Sequence, residues 1–115
     1  MELPAPMRIK PESWLYPTSR GLYCEPGDFH IDPHRPVDRA VVTHGHADHA
    51  RPGNRHVLAT PETLEIMKLR YGPDAALSFQ AVEGAASIDM SGVTVRLVPA
   101  GHILGSAQVV LEHGG

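Results

Sequence analysis

A short β-branched run of this chain ends in a dense cluster of histidine and aspartate side chains. The stretch "RAVVTHGHADHA", residues 39–50, has histidines at positions 44, 46 and 49 and an aspartate at position 48. Its apolar part predicts a buried strand that ends at Thr43 or His44. Because residues i and i+2 of a strand point to the same side, His44 and His46 can present two imidazoles to one point. The cluster therefore predicts a sheet whose strand ends carry a polar centre.

The spacing of the cluster favours a metal site over ordinary surface polarity. Asp48 and His49 add a carboxylate and a third imidazole, and these are the ligands of catalytic zinc sites. Gly45 and Ala47 are small, so the backbone can fold closely around the ligands. Four such side chains directly after a buried strand are hard to explain by chance.

A second histidine motif offers a further ligand. In "VRLVPAGHILGSAQ", His102 lies in a turn with glycines on both sides, which predicts a sharp bend toward the metal. His44, His46 and His102 would make a three-histidine zinc site with an open position for water. Asp48 and His49 would then point to a second metal, although two protein ligands are too few to hold it.

The remaining histidines have a plainer interpretation. His34, His56 and His113 are expected to face solvent or to form ordinary hydrogen bonds. His30, in "GDFH", is equally compatible with a place in the same pocket.

The rest of the chain predicts strands, one helix and further strands. Residues 1–20 carry four prolines and predict an irregular lead-in, and Pro33 and Pro36 disfavour a central strand in "FHIDPHRPVD". Thr60 is a suitable N-cap for a helix that ends at Gly72-Pro73. We expect its apolar face to contain Leu64, Met67, Leu69 and Tyr71. Strands are predicted at "GLYC", "HVLAT", "LSFQAV", "ASIDM", "VTVRLVPA" and "SAQVVLE", with a hairpin turn at "MSGV".

Composition sets wider limits. The 115 residues allow one domain at most. The net charge of −3 and the lack of a Lys/Arg run argue mildly against a basic nucleic-acid-binding patch. No apolar run approaches the ~20 residues of a spanning helix, and no secretory signal is evident at the N-terminus. Together with the single cysteine, Cys24, this predicts a cytoplasmic protein with no membrane partner.

Two motifs resemble those of a known superfamily. "THGHADHA" resembles the H-x-H-x-D-H signature of the metallo-β-lactamase superfamily, and "PAGHILGSAQ" resembles its next histidine motif. The second motif is more similar to the β-CASP nucleases than to thioester hydrolases, which have a "TPGHT"-type turn. "GLYCEPGDFHIDPHRPVDRAVVTHGHADHARPG" is similar to bacterial ligase-associated DNA exonucleases. The resemblance covers roughly residues 9–112.

This resemblance implies a fold and a domain organisation. The fold would be α/β, the N-terminal half of an αββα sandwich with a mixed sheet and a flanking helix. Residues 1–115 would form a partial domain without the C-terminal half and without the β-CASP region, so we expect the chain to be a fragment of a longer nuclease.

The resemblance also implies roles for individual residues. His44, His46 and His102 would ligate a first zinc ion. Asp48 and His49 would ligate a second, with Asp48 also orienting the attacking water. A further acidic residue near the metals would be Glu25 or Asp28. The cofactor would be one or two Zn²⁺ ions, with Mn²⁺ as an alternative.

The implied function is hydrolysis of phosphodiester bonds in DNA by metal-activated hydroxide, as in a ligase-associated exonuclease. The implied partners are DNA and a DNA ligase. Three alternatives stay open: an RNA 3′-end-processing or RNase J-like nuclease, a hydrolase of small thioesters, esters or lactones, and a metal-binding module without catalytic activity.

Overall fold

The structure, a computed structural model, describes residues 11–46, 49–83, 86–100 and 107–113. These residues form nine strands, one α-helix and a 3₁₀ turn at Pro11–Ser13. The helix α1 spans Pro61–Tyr71. The strands are β1 (Leu15–Thr18), β2 (Gly21–Cys24), β3 (Phe29–Ile31), β4 (Arg39–Val41), β5 (His56–Ala59), β6 (Ser78–Ala81), β7 (Ser87–Met90), β8 (Val93–Pro99) and β9 (Ala107–Glu112).

The strands form two sheets. The first contains β1 to β6 in chain order; β1, β2 and β3 pair antiparallel, and β3, β4, β5 and β6 pair parallel. The second is the antiparallel sheet β7–β8–β9. Because β3 to β6 run in one direction, their carboxyl ends meet at one edge of the first sheet.

The main core lies between the two sheets. Phe29 and Val41 of the first sheet belong to one apolar cluster with Val95 and Leu97 of β8. The alternation of buried and half-buried residues along β8 matches a strand with one face in this core. Cys24 is fully buried there, and burial raises the pKa of its thiol. The two sheets are therefore joined by continuous apolar contact.

Helix α1 covers the other face of the first sheet. Leu64 and Met67 are buried in a second apolar cluster with Val57 of β5. The Thr60 side chain accepts a hydrogen bond from the Thr63 N–H, so the predicted N-cap is confirmed. Leu69 is 86% exposed, contrary to its predicted place on the apolar face. It lies two residues beyond Met67, which is about 200° around the helix.

Within the described part of the chain, no helix has the length and apolar character needed to cross a bilayer.

The prediction of an α/β fold, the N-terminal half of an αββα sandwich, is wrong. Among the described residues, strands predominate and a single helix lies on one side of two sheets. The physical reason is that residues 61–71 alone combine helix start and stop signals. The other apolar segments are short and are buried by packing sheet on sheet.

Three local predictions differ from the structure. The segment with Pro33 contains an interior strand, β3, which pairs with both β2 and β4. Pro33 does not interrupt β3, because this strand ends at Ile31. The lead-in expected to be irregular contains β1, and β4 ends at Val41 rather than at Thr43 or His44. The predicted turn at "MSGV" is confirmed, with positive φ at Ser91 and Gly92.

We expect Leu97→Ala to destabilise the chain by about 2–5 kcal/mol, because the side chain is fully buried between the sheets. The free energy of unfolding is measured by urea denaturation. The matched control is Leu69→Ala, expected to change it by less than about 0.5 kcal/mol. Similar losses in the two variants would contradict this placement of the core.

Candidate metal centre

The candidate centre lies where two parallel strands end side by side. Asp32 directly follows β3, and Thr43 and His44 follow β4. Asp32 has a φ of 46°, a left-handed conformation that aspartate tolerates better than most residues. Its backbone N–H donates to the Val41 carbonyl at 2.9 Å. The chain therefore turns at Asp32 while it remains attached to the neighbouring strand.

The Asp32 carboxylate is the hub of the hydrogen bonding at this edge. Its Oδ1 accepts the Thr43 backbone N–H at 2.8 Å, and its Oδ2 accepts the Thr43 hydroxyl at 2.6 Å. The same Oδ2 lies 3.0 Å from His49 Nδ1. The Asp32 side chain is only 16% exposed. Both oxygens of a largely buried carboxylate are thus satisfied, as burial of a charge requires.

These bonds also determine which nitrogen of each imidazole carries the proton. His44 Nδ1 lies 2.8 Å from the Thr43 hydroxyl oxygen. Because the single hydroxyl proton is donated to Asp32, His44 Nδ1–H must donate to that oxygen. His49 Nδ1–H donates in the same way to the Asp32 carboxylate, which can only accept. In the neutral tautomer that these bonds favour, Nε2 of each histidine carries the lone pair that can bind a metal.

Asp32, His44 and His49 offer one ligand-type atom each, and these atoms lie within 4.8 Å of one another. The ring centroids of His44 and His49 are 4.1 Å apart, and those of His44 and His46 are 4.7 Å apart. Imidazole nitrogens are ligands that suit Zn²⁺, and a carboxylate beside them commonly orients the rings. The residues present therefore fit the metal implied by the sequence.

Helix α1 supports the loop that carries the histidines. A Cβ atom placed on Gly45 would lie 2.8 Å from Ile66 Cγ2, so the helix packs directly on the Gly45 backbone. The Arg70 guanidinium donates a hydrogen bond to the Gly45 carbonyl. On the far side of His46, its carbonyl accepts the N–H of His49 and of Ala50 at 2.9 and 2.8 Å. The helix therefore holds the loop at Gly45, and a local turn closes it between His46 and Ala50.

The structure places the predicted ligands as follows. His44 and His49 lie together in the cluster, and His46 lies beside His44 on the exposed side. Asp48 and His102 are outside the described residues, so the division of the ligands between two metals stays a prediction.

Asp32 is the member of the candidate centre that the sequence did not indicate. The available signal was its position directly after "FHI", a short segment with two apolar residues, since Thr43 and His44 likewise lie just beyond the end of β4. Pro33 obscures this signal, because a proline disfavours an interior strand.

Glu25 and Asp28, the acidic residues considered from the sequence, occupy the β2–β3 turn. The Asp28 backbone N–H donates to the Glu25 carbonyl at 3.2 Å, and the Asp28 carboxylate accepts the Tyr23 hydroxyl at 2.8 Å. The group of candidate ligands found among the described residues includes neither of them.

The other described histidines have contacts of different kinds. His34 is exposed, His56 Nδ1 lies 2.7 Å from the Ser78 hydroxyl, and the His113 ring packs edge-on against Trp14. His30 lies on β3, where burial lowers the pKa of its ring and the nearby Arg20 lowers it further.

A cavity of about 540 Å³ opens between the two sheets beside His44. Its walls are mainly apolar. They include Trp14, Leu22 and Ile31 on the side of the first sheet and Val109 of β9. Thr43 and His44 lie at its polar end. The candidate centre therefore faces a space large enough for a small organic group.

No protein-family model matches this chain. The chain is similar to a protein named "Probable DNA ligase" from Opitutus terrae, with 36% identity over 104 residues. The matched region covers 88% of this chain but 10% of that protein. The chain thus spans about a tenth of the length of the curated relative that it matches.

We expect Thr43→Val to lower zinc affinity about 10- to 100-fold, because it removes the hydroxyl that connects Asp32 to His44. Affinity is measured by competition with a chromophoric chelator. Thr94→Val, on β8 in the second sheet, is the matched control and should bind zinc like the original chain. Unchanged affinity in Thr43→Val would show that the hydroxyl does not orient the ligand.

We expect Gly45→Ala to lower both zinc affinity and stability, because its methyl group would collide with Ile66 Cγ2. The cost of such overpacking is about 1–3 kcal/mol. Ile66→Ala in the same chain removes the colliding atom and should restore part of both losses. A double-mutant cycle of urea denaturation and zinc titration measures the coupling. Strictly additive effects would contradict the proposed helix–loop contact.

Proposed function

We propose that this chain forms part of a zinc-dependent phosphodiester hydrolase of the metallo-β-lactamase superfamily that acts on DNA, of the ligase-associated exonuclease type. The observation that carries the proposal is the cluster of His44 and His49 around Asp32, each imidazole oriented through Nδ1. The motif resemblance at residues 43–50 and 99–108 supports the same assignment.

The side chains would have different roles at this centre. His44 and His49 would hold the metal through Nε2, and His46 lies beside them as a further ligand. Asp32 already accepts three hydrogen bonds, so it acts as a positioning residue that orients both imidazoles. A bound Zn²⁺ or Mn²⁺ ion supplies Lewis acidity and lowers the pKa of water toward neutrality. Asp48, if it orients that water, completes the set as the resemblance implies.

The proposal that DNA is the substrate rests on similarity to another protein. The relative with 36% identity is named a probable DNA ligase, and this chain matches about a tenth of it. A nuclease that works beside a ligase would prepare strand ends for joining. We therefore propose DNA as the substrate and a DNA ligase as the partner, in the cytoplasm.

We expect the purified chain to bind about one zinc ion, measured by elemental analysis after dialysis. His44→Ala should lose this zinc because it removes a metal-binding nitrogen from the cluster. The matched control is His113→Ala, whose ring packs against Trp14, and it should keep the zinc. Equal loss of zinc in both variants would contradict the assignment of the centre.

The substrate class is tested on a longer metal-loaded chain that contains these residues, because this chain is proposed to be part of the nuclease. We expect that longer chain to cleave 5′-labelled DNA with Zn²⁺ or Mn²⁺, and its His44→Ala variant to lose cleavage. Faster hydrolysis of a thioester than of DNA would contradict the nuclease assignment and favour the small-molecule hydrolase. Cleavage of RNA in preference to DNA would favour the RNA-processing alternative.

A further inference from the structure

A row of three aromatic side chains crosses the antiparallel part of the first sheet. Tyr16, Tyr23 and His30 are register partners on β1, β2 and β3. The ring centroids of Tyr16 and Tyr23 are 6.0 Å apart, and those of Tyr23 and His30 are 4.7 Å apart. Each of the three side chains is partly exposed. We name these residues the aromatic row.

The aromatic row lies on the face of the first sheet that α1 covers at β5 and β6. The register continues from His30 to Ala40, then to Val57 and Phe79. Val57 and Phe79 pack in the cluster that contains the helix residues. The helix therefore covers β5 and β6 on this face, whereas a groove of about 400 Å³ lies over the aromatic row.

The wall of this groove combines aromatic and polar groups. Besides the aromatic row, it contains Thr18, Ser19, Arg20 and Asp28. The Tyr23 hydroxyl donates to the Asp28 carboxylate at 2.8 Å, and this bond contributes most to raising the pKa of Tyr23 to about 12. Tyr23 is thus held in one orientation and stays uncharged at neutral pH. Arg20 is exposed at the β1–β2 turn and offers a positive charge beside the rings.

We propose that the aromatic row is a stacking platform for the unpaired bases of single-stranded nucleic acid. Aromatic faces accept successive bases regardless of sequence, and an adjacent arginine attracts the phosphate backbone. The row ends at His30, two residues before Asp32, which directly follows β3, so a base stacked on His30 would lie near the candidate metal centre. The inference rests on the proposed nuclease function and adds that the substrate is engaged as a single strand.

The test measures binding of a fluorescein-labelled dT12 oligonucleotide by fluorescence anisotropy, in EDTA so that no strand is cleaved. We expect Tyr23→Ala and Tyr16→Ala each to weaken binding about tenfold, because each removes a stacking surface. Tyr23→Phe keeps the ring and should bind like the original chain. Tyr71→Ala, on α1, is the matched control for loss of a partly exposed tyrosine and should also bind normally.

Several outcomes would overturn the platform. These are no binding of dT12 by the original chain, equal affinity for a duplex of the same length, or equal loss in Tyr71→Ala and Tyr23→Ala. Weak binding by Tyr23→Phe would overturn it as well, because that variant preserves the aromatic surface.

Failure of the platform can be told apart from failure of the proposed function. If dT12 binding depends on the aromatic row but no metal-dependent cleavage is found, the platform stands and the nuclease assignment fails. If metal-dependent cleavage occurs and the ring variants bind dT12 normally, the nuclease assignment stands and the platform fails.

Discussion

The organisation of the candidate centre depends on one largely buried carboxylate. Asp32 connects the end of β3 to the backbone and hydroxyl of Thr43 after β4, and to the imidazole of His49. A buried charge is costly unless donors replace its water, and here three donors do so. Hydrogen bonds to charged groups contribute about 1.5–3 kcal/mol each. The same bonds that make the burial of Asp32 tolerable also orient His44 and His49, so stability and metal-binding geometry have a common origin.

Helix α1 also stabilises the loop that carries the histidines. Leu64 and Met67 attach the helix to the sheet, while Ile66 and Arg70 contact the backbone of Gly45. A ligand loop supported by a packed helix varies less in position than a free loop would. The helix is therefore part of the centre although it contributes no ligand among the described residues.

The two faces of the first sheet have different roles. One face packs on the second sheet and leaves a mainly apolar cavity beside His44. The other carries α1 at one side and the aromatic row at the other. Both open surfaces lie next to strand ends that lead into the centre. Parallel pairing of β3 and β4 is what brings these ends to one edge.

Local chemistry made some parts of the molecule predictable. The cap at Thr60 and the stop at Gly72 defined α1, because backbone groups at helix ends are satisfied within a few residues of sequence. The glycine turn at Ser91-Gly92 was predictable for the same reason. The proximity of His44 to His46 followed from the two-residue period of extended chain.

Other features depended on contacts between segments that are distant in sequence. Leu69 faces solvent because the side of the helix that carries Leu64 and Met67 packs on the sheet, and Leu69 lies about 200° around the helix from Met67. The pairing of two sheets, which replaced the expected α/β sandwich, depends on which apolar faces meet.

At the candidate centre, the role of Asp32 likewise depends on contacts between distant segments. Its role could not be derived locally, since it depends on β3 lying beside β4 and on a histidine 17 residues away. The sequence by itself determined the ligand types, the cap and the turns, because short-range geometry decides them. Only the tertiary structure decided which carboxylate orients the histidines, because strand pairing selects neighbours that the order of residues does not.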